Sequence, residues 1–233
     1  MANRLDGRRL WSGIWRRSHP YSRATGRAGG GPMTAVEVTP ADLRRQEIIS
    51  KAAALFDEVG YGSTSMDSIA RAMEMAKPTL YHYFRSKDEI LSSIHEEFID
   101  LLIAQHEAHQ AAGLRPGEAI QEHVADILSL MDTHHGHVRV FFEHYRELPV
   151  SRRAEIDHKR SAYFEFVGRM VRDGIASGEF RDLNPTITTM AIFGMANWTY
   201  QWYDPSGSLD SRTIAESFWD LLQRGMLSGE DAR

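Results

Sequence analysis

Apolar residues recur three and four positions apart along most of the chain, the spacing that gives a helix one buried face. The first such run, Ile48, Ile49, Ala52, Ala53, Leu55, Phe56 and Val59, follows Thr39-Pro40 with Asp42 close behind. A capping hydroxyl, a proline at the first helical position and an early acid mark a helix start there. Gly60 and Gly62 end it. Two short amphipathic runs follow, one after Thr64-Ser65 and one over about Lys77 to Phe84. Ser86 with Glu89 reads as a capping box opening a long helix through Ile90, Leu91, Ile94, Phe98, Leu101 and Leu102. Further helices are predicted over 118–133 and 137–147, from Ser151 to about Ser177, from Asn184-Pro185 through Tyr203, and over about 210–227. No segment alternates as a strand would, so the predicted fold class is all-α.

Short helices come first and longer ones after, which divides the chain. The pattern predicts an extension over 1–36, a three-helix helix-turn-helix DNA-binding domain over 37–88, and a domain of longer helices over 89–233. Two short helices joined by a tight turn, braced by a longer first helix, form the helix-turn-helix layout. The second short helix is the one that enters the major groove. Within it Leu80 and Phe84 lie four apart and face inward, leaving Lys77, Thr79, Tyr81 and His82 outside. Those four side chains suit phosphates and base edges, and Pro78 fixes the first turn. Lys87, at the start of the next helix, and Thr64 and Ser65, at the start of the second, are candidate phosphate contacts. Arg44 and Arg45 are candidates to add backbone contacts.

Composition changes this picture little, but charge does. The 233 residues carry a net charge of −5 and contain no cysteine, which excludes disulfide scaffolds, thiolate metal sites and cysteine nucleophiles. Residues 1–32 hold seven arginines and one acid, whereas the remainder is acidic, with 20 basic and 31 acidic side chains. Nucleic-acid binding therefore rests on local placement, not bulk charge. The Arg-, Gly- and Ser-rich tail reads as a disordered extension, a basic arm for DNA, or a transit peptide. No apolar run is long enough to span a membrane, and the expected localisation is cytoplasmic.

Residues 44–91 resemble the DNA-binding domain of TetR-type bacterial transcriptional regulators. The resemblance lies in Ala53, Leu55 and Phe56; Gly60-Tyr61 with Ser63-Thr64; Ile69-Ala70; Thr79-Leu80-Tyr81 with Tyr83-Phe84; and Ser86-Lys87 with Glu89. It implies an all-α homodimer that binds a palindromic operator in double-stranded DNA and lets go when a small molecule enters the C-terminal domain, which makes residues 89–233 a ligand-binding and dimerisation domain. Two positions depart from the family pattern. Glu74 occupies the turn where glycine is usual, and Ala76 stands where a capping Ser or Thr is common. The segment from Gly194 to Tyr203 resembles TetR-type regulators of acyl-CoA, fatty-acid or steroid catabolism, which makes an acyl-CoA a candidate effector.

Candidate pocket residues are Leu102, Leu128, Met131, Phe141, Tyr145, Phe164, Phe166, Met170, Met190 and Phe193, each of which serves equally as ordinary core. Trp198, Trp202, Phe218 and Trp219 are candidate anchors of a dimer interface, or pack within one subunit. Arg152, Arg153, Lys159 and Arg160 form a basic run that suits the phosphates of an acyl-CoA or a solvated face. His134, His135, His137 and His144 have no strong metal spacing, so neither metal nor other cofactor is expected. A metal-responsive regulator and a helical partner-binding scaffold are the alternatives. Enzyme signatures are missing: Glu155-x-x-His158 stands alone where a di-iron bundle needs two such motifs.

Overall fold

The structure is a computed structural model that describes residues 39–227. The extension predicted for 1–36 lies outside them. Nine α-helices occur among the described residues: α1 Pro40–Val59, α2 Met66–Ala72, α3 Lys77–Tyr83, α4 Lys87–Ala112, α5 Pro116–Thr133, α6 His135–Glu143, α7 Val150–Ala176, α8 Pro185–Trp198 and α9 Ser211–Met226. Single 3₁₀ turns cover Tyr145–Glu147 and Thr199–Gln201. The only β pairing in this span is one isolated bridge, Phe180 with Leu227.

Helix starts follow local chemistry. Thr39 caps α1 in a full capping box with Asp42, and Asn184 and Asp210 accept from Ile187 and Thr213 at the starts of α8 and α9. Ser86 caps α4 through the Glu89 N–H at 3.1 Å. The expected reciprocal bond is shifted by one residue, because the Glu89 carboxylate accepts from the Arg85 N–H instead.

Two cores form, and the first draws residues from both sides of the expected 88/89 boundary. The first holds Ile48, Ile49, Phe56, Ile69, Leu80 and Phe84, together with Ile90, Leu91 and Ile94 from α4. Val140, Leu148 and Ile156, from well beyond the helix-turn-helix, complete it. The long rod α4 therefore begins in one core and ends in the other. One 20-residue helix and two of seven residues bury too little apolar surface to stand alone, so later elements supply the missing wall. The second core gathers Phe98, Leu102, Ile120, Val124, Val138, Phe141, Tyr163 and Val167 among others.

Helix α6 belongs to both cores. Val140 packs into the first and Phe141 into the second. Its first turn lies directly on α1: a Cβ built on Gly136 would sit 3.2 Å from Ala53 C and Ala54 N. An Arg139–Asp57 ion pair at 3.0 Å crosses the same contact. At the far end, Asp132 accepts from the Tyr203 hydroxyl and from Ser211 Oγ, tying the start of α9 to the end of α5. No helix among the described residues is long and apolar enough to cross a membrane.

Candidate nucleic-acid interface and effector cavity

The turn between α2 and α3 is held by backbone bonds that wrap the end of α2. The Glu74 N–H reaches Arg71 O at 3.1 Å and the Met75 N–H reaches Ala70 O at 3.0 Å. This is a Schellman motif, which places its central residue in the left-handed region. That residue is Glu74, with φ of 52°. A side chain there costs about 1 kcal/mol. Ala76, as the sequence departure implied, gives α3 no side-chain cap. Glu74→Gly and Ala76→Ser are each expected to raise unfolding stability, by up to about 1 kcal/mol, as read from urea midpoints.

With Leu80 and Phe84 fully buried, the outer face of α3 presents Lys77, Pro78, Thr79, Tyr81 and His82 to solvent. Tyr81 is 43% exposed, a large apolar surface for an unoccupied face. Ser65, exposed, caps α2 through the Ser68 N–H. Lys77 pairs with Asp67 at 2.7 Å, and this contact raises its pKa.

Four of the expected phosphate contacts make hydrogen bonds within the protein. Thr64 is only 2% exposed, and its hydroxyl donates to Gly60 O. A threonine after a glycine turn satisfies that turn's carbonyl from within. Arg45 donates to Tyr83 O at 2.6 Å and to Ser93 Oγ at 3.2 Å, with its guanidinium 3.9 Å from the Phe84 ring. Arg44 is split between Glu47 and the carbonyl of Met73. Lys87 Nζ donates to Tyr61 O at 2.6 Å and Thr64 O at 2.9 Å, over the Tyr61 ring. Tyr61 in turn donates to Asp88, and burial first, then that bond, pushes its phenol pKa up. Lys87 thus pins the loop before α2 to the start of α4. Lys87→Met is expected to lower stability by about 1–3 kcal/mol, because both carbonyls lose a charged donor. Thermal unfolding measures it.

Beyond the helix-turn-helix, a cavity of about 230 Å³ opens between α4, α6, α7 and α8. Of the candidate pocket residues, Leu102, Phe141, Phe164, Met190 and Phe193 line it, together with Phe98, Ile99, Phe142, Arg160, Tyr163 and Asn197. A second cleft, about 280 Å³, takes Phe166 and Met170 together with His106, His109, Gln110 and Arg169. Leu128 and Met131 line neither. They are 1% and 0% exposed and serve as core. Tyr145 also lines neither; it donates to Asp157 at 2.5 Å.

A buried polar chain joins the two spaces. His106 Nδ1 lies 3.0 Å from His123 Nε2, and His123 Nδ1 lies 3.0 Å from the Tyr163 hydroxyl. Burial, helped by the neighbouring imidazoles, pulls His123 down to about 3, so the chain is neutral. His106 stacks on Phe166 at 4.2 Å. The sequence reading missed these histidines. The signal was available: His95 and His106 fall on the α4 face that Ile99 and Leu102 bury, and His123 precedes Val124 and Ile127 on the buried face of α5.

The basic run at the start of α7 is dispersed. Arg153 donates to Leu148 O and Arg146 O. Arg152 pairs with Glu155 and Lys159 with Asp100. Only Arg160 reaches the cavity wall. No group of three or more His, Asp or Glu side chains among the described residues could hold a metal. Of the expected interface anchors, Trp198 and Trp202 are 63% and 48% exposed. Phe218 and Trp219 are half-buried against the second core, with the Trp219 ring beside Gly117.

Residues 48–94 match the family of bacterial regulatory proteins of the tetR type, and residues 113–226 match the tetracyclin repressor-like C-terminal domain. A solved TetR/AcrR-family transcriptional regulator from Thermobifida fusca is 34% identical, with 78% of this chain and 97% of that one covered and a TM-score of 0.63. The chain belongs to the TetR family. As a TetR-family protein it is a DNA-binding transcriptional regulator and not an enzyme. Among curated proteins it is similar to the transcriptional repressor KstR2 of Rhodococcus jostii, 26% identical over 79% of this chain and 92% of that protein. Among solved structures it is similar to AibR in complex with isovaleryl coenzyme A and operator DNA. That likeness is 27% identical, covers 76% of this chain and 97% of that one, and has a TM-score of 0.69.

Proposed function

We propose that this TetR-family regulator is a cytoplasmic repressor. It binds a palindromic operator as a homodimer and is released when an apolar effector, in the first instance an acyl-CoA, fills the cavity. One observation carries the reading: α6 is a wall of the cavity through Phe141 and a wall of the helix-turn-helix core through Val140. A ligand that binds better when Phe141 is displaced shifts the population toward a conformer with its recognition helices differently placed. Operator binding and effector binding are then coupled with reciprocal strength. The complex of AibR with an acyl-CoA and operator DNA, and the steroid- and lipid-regulator resemblance of the C-terminal segment, support an acyl thioester as the first ligand class to test.

Exposed apolar side chains on α8 and beyond, Ile187, Met190, Trp198 and Trp202, support the dimer, joined by Leu221 of α9. Pairing them across a two-fold axis removes that surface from water. In the dimer, each α3 offers Lys77, Thr79, Tyr81 and His82 to one half-site, Pro78 sets the first turn, and Ser65 and Arg44 meet the backbone. The test is a gel shift on DNA flanking the protein's own gene, with and without acyl-CoA thioesters. A shift that one thioester releases, and that Tyr81→Ala removes, supports the reading. A shift that persists in Tyr81→Ala overturns the assignment of α3.

A further inference from the structure

Arg160 is the one cationic side chain in the wall of the 230 Å³ cavity. Its guanidinium lies 4.5 Å from the Phe141 ring centroid and 4.9 Å from that of Tyr145. Its Nη1 is buried and has no hydrogen-bond partner. An arginine keeps its charge even where burial lowers its pKa. The acid one turn earlier, Asp157, accepts from the Tyr145 hydroxyl and attracts the Arg160 charge, but leaves the buried Nη1 without a hydrogen bond. A second polar group of the same cluster is also unmet. His95, fully buried with its ring 5.2 Å from Phe141, has no partner at either nitrogen. By contrast, Arg153 and Lys159 on the same helix are satisfied by carbonyls and a carboxylate. The remaining polar side chains of the wall are Asn197 and Tyr163, and the Tyr163 hydroxyl is taken by His123.

Arg160 as a whole is only partly buried, but a buried guanidinium nitrogen without an acceptor is costly, and natural interiors supply one. We propose that the cavity takes an apolar body ending in a carboxylate, with the carboxylate on Arg160 Nη1. A charged acceptor fits better than a hydroxyl or an ester carbonyl, because charge-assisted bonds are the stronger and the two ions neutralise each other out of water. The volume, about eight water volumes, admits a medium chain or a single ring system, and leaves a coenzyme moiety outside. Two sources share this chemistry: a free carboxylic acid, or a thioester whose acyl chain carries a second, distal carboxylate. The inference rests on reading this cavity as the effector site, but ligand binding and operator release are separate measurements.

Titration calorimetry on the full chain, with octanoate, octan-1-ol, octanoyl-CoA and octanedioyl-CoA, tests it. The expected result is at least tenfold tighter binding of octanoate than octan-1-ol, or of octanedioyl-CoA than octanoyl-CoA. The first preference assigns the free acid and the second the distal carboxylate. Arg160→Met keeps the apolar wall, so it is expected to retain octan-1-ol binding and lose the acid preference, whereas Arg160→Lys keeps part of it. Equal binding of acid and alcohol with no gain for the second carboxylate, an acid preference that survives Arg160→Met, or no binding of any of the four overturns the proposal. Binding of the acid without release of operator DNA would instead count against the repressor reading and leave the site standing.

Discussion

Acid is expected to unfold this protein well above the pH at which exposed carboxylates protonate. Burial pulls His95, His123 and His137 each down to about 3, and His134 to about 4; His106 is lowered as well. In the unfolded chain a histidine titrates near 6.5. Below that pH the unfolded state binds protons that the folded state refuses, so stability is present above about 6.5 and drains as pH falls toward 3. Each such histidine withdraws about 1.4 kcal/mol per pH unit once well below 6.5. Buried carboxyls oppose this. Burial pushes Glu97 up to about 8 and raises Glu96 and Asp126, so these groups favour the folded state as pH drops toward 4.5. The histidines outnumber them, which leaves a net uptake of roughly two protons on unfolding near pH 5. That removes about 3 kcal/mol per pH unit from a total on the order of 5–15 kcal/mol. Urea midpoints at pH 7.5, 6.0 and 5.0 measure the slope. A midpoint that stays level between 7.5 and 5.0 would mean that the imidazoles are not held neutral in the interior.

The helices were legible because their periodicity is carried by many residues and their ends by short-range chemistry. Thr39, Ser86, Asn184 and Asp210 cap with their own side chains, and a cap requires nothing distant. The exposed face of α3 was legible for the same reason, since Leu80 and Phe84 fix which side is in. Glu74 shows where such reasoning needed help: only the family resemblance marked it as standing in a glycine's place, and its φ is positive. What could not be read was the destination of long cationic side chains. Arg45, Lys87 and Arg153 each find carbonyls 5 to 38 residues away in sequence. Nothing local distinguishes such a carbonyl from a phosphate. The shared wall of the first core was hidden for a related reason. Helix periodicity says which face of α4 is buried, and not that Val140, Leu148 and Ile156 return to cover its first turns.

Gly136→Ala is expected to weaken operator binding tenfold or more with no change to any residue on the α3 surface. A Cβ at this position would lie 3.2 Å from Ala53 C and Ala54 N and 3.3 Å from Ala53 O. These are backbone atoms inside α1, so none can rotate aside. Helix α6 must lift by a few tenths of an ångström or drag α1 with it. Overpacking of this kind costs about 1–3 kcal/mol. The strain falls on the element that also carries Val140 into the helix-turn-helix core and Arg139 to Asp57. It disturbs the seat of α6 on α1, the same contact through which an effector that displaces Phe141 would reach the helix-turn-helix core. The variant should therefore bind DNA weakly without ligand and respond less to the ligand that releases the parent protein. Operator titrations with and without effector, run beside thermal unfolding, separate this coupling from plain loss of fold. A variant that loses stability but keeps operator affinity and the full effector response would show that α6 only fills space between the two cores.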